Sequence, residues 1–94
     1  MKNPHQLSEE VLELSEEYSR FSGELAKMIK TEAEFYIANR ANFKSDTAVQ
    51  RQFDVTDDGV KMATLKLKLK ALEKQMSAIR TMLKTLTEEA HGLY

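Results

Sequence analysis

Cysteine is absent from this 94-residue chain, which excludes disulfides, thiolate nucleophiles and cysteine-ligated zinc and fits a reducing compartment. Only three glycines and one proline are present, leaving little material for loops. No stretch approaches the roughly 20 consecutive apolar residues of a membrane span. The opening Met-Lys-Asn-Pro-His-Gln runs into acidic residues with no apolar signal core, so a cytoplasmic protein with no membrane partner is expected. Glycine-rich phosphate loops, histidine pairs at metal spacing and Ser-His-Asp sets are also missing. The chain is therefore expected to be non-enzymatic, with no cofactor and no metal. His5 and His91, with Glu9, Glu88 and Glu89 nearby, lie at fraying ends that lack the rigid shell a metal site needs. The Asp54, Asp57, Asp58 cluster lacks the spacing of a calcium loop and reads as helix capping.

What the chain has is two heptad stripes. The first is Leu7, Val11, Leu14, Tyr18, Phe21, Leu25 and Met28; the second is Met62, Leu65, Leu69, Leu72, Met76, Ile79, Leu83, Leu86, Ala90 and Leu93. An apolar residue every 3.5 positions keeps one seam of a helix turned toward a partner helix, so each stripe predicts a long helix packed by knobs into holes. A charged fraction of 31% beside a hydrophobic fraction of 41% suits an extended helical protein, too apolar for a disordered chain and too charged for a large globular interior.

Helix signals divide a single domain, residues 1–94, into a long helix over about 4–43, a short one over about 46–54 and a second long one over about 60–91. Asn3 and Gln6 frame Pro4 as a capping box, with Ser8 as a competing start. Ser45 or Asp46 caps the short helix, where Phe53 is expected to plug the end, and Thr56, Asp57 or Asp58 caps the last helix. Gly92 is a stop signal. The alternation in Leu65-Lys66-Leu67-Lys68-Leu69-Lys70 suggests a strand in isolation, but the heptad register on both sides places it in the last helix. At Glu32 a carboxylate occupies a seam position. The apolar residues there move to Ile29, Ala33, Tyr36 and Ile37, which predicts a change of packing partner.

The expected fold is all-α: an antiparallel, coiled-coil-like helical hairpin with a short connector helix. A two-helix seam is thin, and Leu12, Ile29, Ile37, Leu67 and Met82 lie off it, so a homodimer forming a four-helix bundle is the economical completion. Gly23, at a cost of about 1 kcal/mol relative to Ala, adjoins Ser15, Ser19, Ser22 and Ala26 on a side that admits a close neighbour or faces solvent.

Net charge is only −1, yet the last helix is basic and the first acidic. One expectation is pairing between the helices, Glu10, Glu17 and Glu24 against Lys61, Lys66, Lys68 and Arg80. Setting Phe43 opposite Val60 instead puts Lys66, Lys68 and Lys70 beside residues 33–37. With Arg40, Lys44, Arg51 and Lys61 they then make a candidate phosphate-binding patch, near which Tyr36, Phe43 and Phe53 are either core or base-stacking groups.

Lys44-Ser45-Asp46, Asp54-Val55-Thr56-Asp57-Asp58-Gly59, Lys68-Leu69-Lys70-Ala71-Leu72-Glu73 and Ser77-Ala78-Ile79-Arg80, all in the C-terminal half, resemble small helical proteins of unknown role encoded by tailed phages and prophages. The resemblance implies a phage accessory role in the host cytoplasm, near replication or recombination. Function is expected to be protein binding, as adaptor or inhibitor, with nucleic-acid binding, which the resemblance favours, as the alternative.

Overall fold

The computed structural model describes residues 2–92, the side chains of residues 90–92 excepted. Ala90 and Leu93, the last members of the second stripe, and the His91 side chain lie outside what is described. The order of elements is α1 (Pro4–Asn39), a 3-10 turn (Arg40–Asn42), α2 (Asp46–Asp54) and α3 (Asp57–Gly92), with no strand among the described residues. The molecule measures 69 × 20 × 17 Å with a radius of gyration of 20.0 Å, well above the roughly 13 Å of a compact chain of about this length. It is a rod.

Both ends of α1 follow from side-chain chemistry. Asn3 Oδ1 accepts from the Gln6 amide at 2.8 Å, and Gln6 Oε1 accepts from the Asn3 amide at 3.0 Å. This reciprocal cap starts the helix at Pro4 and not at Ser8. At the other end the Asn39 side chain donates to the Phe35 carbonyl at 2.9 Å, and Phe43 is extended. The α-helix therefore stops at Asn39, four residues before the expected limit, and tightens into the 3-10 turn.

α2 has its sequence-predicted bounds, with Ser45 Oγ accepting from the Ala48 amide at 3.2 Å. α3 begins at Asp57, three residues earlier than the periodicity indicates. Thr56 explains this. Its Oγ1 accepts from the Gly59 amide at 3.0 Å and donates to the Phe53 carbonyl at 2.6 Å, while Asp57 and Asp58 sit at the positive end of the helix dipole.

Along the rod, the α3 partner number falls as the α1 number rises. Ser15 Oγ donates to Met76 Sδ at 3.4 Å, Tyr18 OH donates to Glu73 Oε1 at 2.8 Å, and Lys68 Nζ stands 5.1 Å from the Phe21 ring centroid. Met28 clusters with Met62, Leu65 and Phe53, with Phe21, Leu25 and Phe35 packed against them. This register corrects the pairing of Phe43 with Val60. α2 takes the space opposite the last turns of α1, with Phe53 only 2% exposed and its ring 5.4 Å from that of Phe35, edge to face. Met62 is thereby left to meet Met28.

In α3, Met62, Leu65, Leu69, Leu72, Met76 and Ile79 are all buried, while Leu83 and Leu86 are half-buried. Burying each such side chain contributes roughly 1.5–3 kcal/mol. In α1 only Leu7 and Met28 are buried; Val11, Leu14, Tyr18, Phe21 and Leu25 are half-buried.

The seam of α1 does not break at Glu32. It continues in phase through half-buried Glu32, Phe35 and Asn39, whereas Ile29, Ala33, Tyr36 and Ile37 are exposed. Glu32 tolerates the position because its Oε2 accepts from the Gln50 side chain at 3.2 Å, carrying the charge out of the seam.

Candidate interaction surface

The described residues contain no buried polar or charged side chain and no group of three or more potential metal ligands. No described helix is long and apolar enough to cross a membrane. Chemistry on this rod therefore concerns its surface, which carries three distinct features.

The first is basic. Among the described residues no ion pair joins α1 to α3, the pairs being Lys2–Glu10, His5–Glu9, Arg20–Glu17, Arg40–Asp46 and Lys84–Glu88. The expected pairing of Glu10, Glu17 and Glu24 with Lys61, Lys66, Lys68 and Arg80 is not formed: Glu10 is engaged by Lys2 and Glu17 by Arg20, and Glu24 takes part in none of the described ion pairs. The candidate phosphate-binding residues divide into groups. Lys66, Lys68 and Lys70 lie beside residues 20–25 and not beside residues 33–37, since Lys68 stands over Phe21. Helical spacing puts Lys66 and Lys70 on one flank of the α3 seam and Lys61 and Lys68 on the other. Arg40, Lys44 and Arg51 stay at the connector end, and Arg40 is engaged there by Asp46. These residues do not converge on one patch. Phe53 is core, which removes it as a base-stacking group, while Phe43 is half-buried and Tyr36 exposed.

The second feature is the polar knot at that connector end. The Tyr36 hydroxyl donates to Asp46 Oδ1, and Arg40 Nε donates to the same oxygen at 2.7 Å. These two donors hold the Asp46 carboxyl below its ordinary pKa, the Tyr36 bond being the larger cause, and the same carboxylate pushes the Tyr36 phenol up. Arg40 also donates through Nη1 to the Phe43 carbonyl at 2.8 Å. The knot fastens the end of α1 to the start of α2.

The third feature is a second repeat on α1, running beside the seam. Ser8, Leu12, Ser15, Ser19, Ser22, Ala26, Ile29, Ala33 and Tyr36 step 4, 3, 4, 3 without a charged residue. Leu12 and Ile29 are 60% and 50% exposed, and a Cβ built at neighbouring Gly23 meets nothing within 4 Å. Reading for large apolar residues alone finds the seam and misses this stripe; the signal is the run of uncharged positions at heptad spacing on a helix charged elsewhere. The other large exposed apolar groups are Ile37, Val55, Val60, Leu67 and Met82.

No protein-family model, characterised protein or solved structure matches the chain.

Proposed function

We propose that this protein is a non-enzymatic, protein-binding rod: an antiparallel helical hairpin that dimerises into a four-helix bundle and serves as an adaptor or inhibitor. The observation that carries the reading is the uncharged stripe of α1 left in water along a slender shape, with its Leu12 and Ile29 60% and 50% exposed. Exposed apolar surface at heptad spacing is what helices present to other helices. The half-buried state of the α1 seam supports a further covering element.

A second reading, binding of nucleic-acid phosphates by α3 as an accessory to replication or recombination, is favoured by the absence of α1–α3 ion pairs among the described residues. Lys61, Lys66, Lys70 and Lys74 are exposed and form none of the described ion pairs. Phosphate contacts of this kind weaken steeply with salt.

The two readings separate in a light-scattering mass measurement during size exclusion, with and without short single-stranded or duplex DNA, at low and moderate salt. A dimer indifferent to DNA is expected. A complex that forms at low salt and is lost on charge reversal at Lys66 and Lys70 would overturn the protein-binding reading in favour of the nucleic-acid one.

A further inference from the structure

The uncharged stripe on α1 is self-complementary in a way that points to its occupant. Its middle is small, with Ser19, Ser22 and Ala26, while its bulk lies toward the ends at Leu12, Ile29 and Tyr36. Small central residues let two helix backbones approach closely, and the open space above Gly23 leaves that approach unobstructed. We infer that this stripe is the docking surface for a second copy of the chain, α1 lying antiparallel against α1 of the partner about a two-fold axis near Gly23. The inference rests on the dimer reading above and specifies its interface.

Antiparallel pairing about that axis brings Leu12 to the Ala33–Tyr36 stretch of the other copy, and Ile29 to the Ser15–Ser19 stretch, so the bulky residues meet mixed large and small ones. Charge agrees with size. Glu16 and Lys30 sit on the outer flank of the stripe at nearly equal distances on either side of Gly23. The two-fold therefore places Glu16 beside Lys30 of the partner subunit, and this occurs twice per dimer. Neither residue takes part in a described ion pair within the chain. A parallel arrangement would put the two copies of this flank on opposite sides of the interface, with Glu16 and Lys30 about 21 Å apart along the axis, and would form neither pair. The partial exposure of the adjoining seam residues Val11, Tyr18 and Leu25 is where the edge of such a neighbour would come to rest.

The test uses the full chain and reads mass by light scattering over a concentration series, with helicity by circular dichroism. Ala26→Arg, at an exposed position, reduces the dimer to single-chain mass with helicity unchanged, because a guanidinium cannot be accommodated where two backbones approach. Glu16→Lys and Lys30→Glu each weaken the dimer by about tenfold, and the double reversal restores it. A dimer that survives Ala26→Arg and both single reversals overturns this pairing while leaving a dimer in place. A parent chain that stays at single-chain mass throughout overturns the pairing and the dimer reading together.

Discussion

Tyr18 on α1 donates its phenolic hydrogen to Glu73 on α3 at 2.8 Å, a hydrogen bond between side chains 55 positions apart that marks the stagger of the two long helices. The bond to Glu73, followed by that carboxylate's charge, raises the Tyr18 pKa above its ordinary 10.0. A group whose pKa is raised on folding contributes stability that is complete below its unfolded-state value and is lost as pH rises through the higher folded-state value. Tyr18→Phe therefore lowers the melting temperature slightly near neutrality and removes one tyrosine-linked loss of stability above pH 10.0. Thermal melts of both proteins across the alkaline range check this.

The glycines separate two backbone situations. A methyl at Gly59 would overlap the Phe53 carbonyl oxygen and lie 2.8 Å from Asp54 Cα, both of them backbone atoms in the tight α2–α3 junction. Gly59→Ala is expected to destabilise by about 2 kcal/mol. Gly23, inside α1 with nothing near its Cβ direction, behaves oppositely: Gly23→Ala stabilises the protomer by about 1 kcal/mol. Denaturant unfolding at dilute protein concentration measures both, and equal effects of one sign would contradict this reading of the junction.

Leu72, 7% exposed at the middle of the α3 seam, cannot accept a carboxylate without loss of its hydration. Leu72→Asp costs about 4 kcal/mol or more, a large part of the 5–15 kcal/mol typical of whole domains. Loss of the cooperative melt and of most helicity follows; a variant that remains fully helical and cooperative would mean that this seam does not hold the rod together.

Helices and seams were legible because each rests on local chemistry: the Asn3–Gln6 box, Ser45 and the unbroken 3-4 stepping. What was not legible depended on a third body. The stagger of the long helices is set by α2, which fills the space opposite Phe35 and Glu32, and no property of Phe43 or Val60 alone reveals that. Glu32 misled in part: the change of packing partner it predicts does occur, from α3 to α2, but the seam itself does not break. A carboxylate in a seam position reads as a break, yet its stem stays in register while its charge is met by Gln50 from α2. The candidate phosphate-binding set was scattered by the same stagger, which moved Lys66, Lys68 and Lys70 away from Arg40, Lys44 and Arg51. The uncharged stripe on α1 lay in plain view as a spacing, but serines and alanines carry little weight when only large apolar residues are counted.

Small-angle X-ray scattering of the intact chain bears most directly on whether these rods associate side by side through α1. Twice the mass of one chain, with a long dimension still near 69 Å and a thickened cross-section, is the expected result. A single-chain mass, or a dimer whose length approaches twice that of the rod, would contradict it.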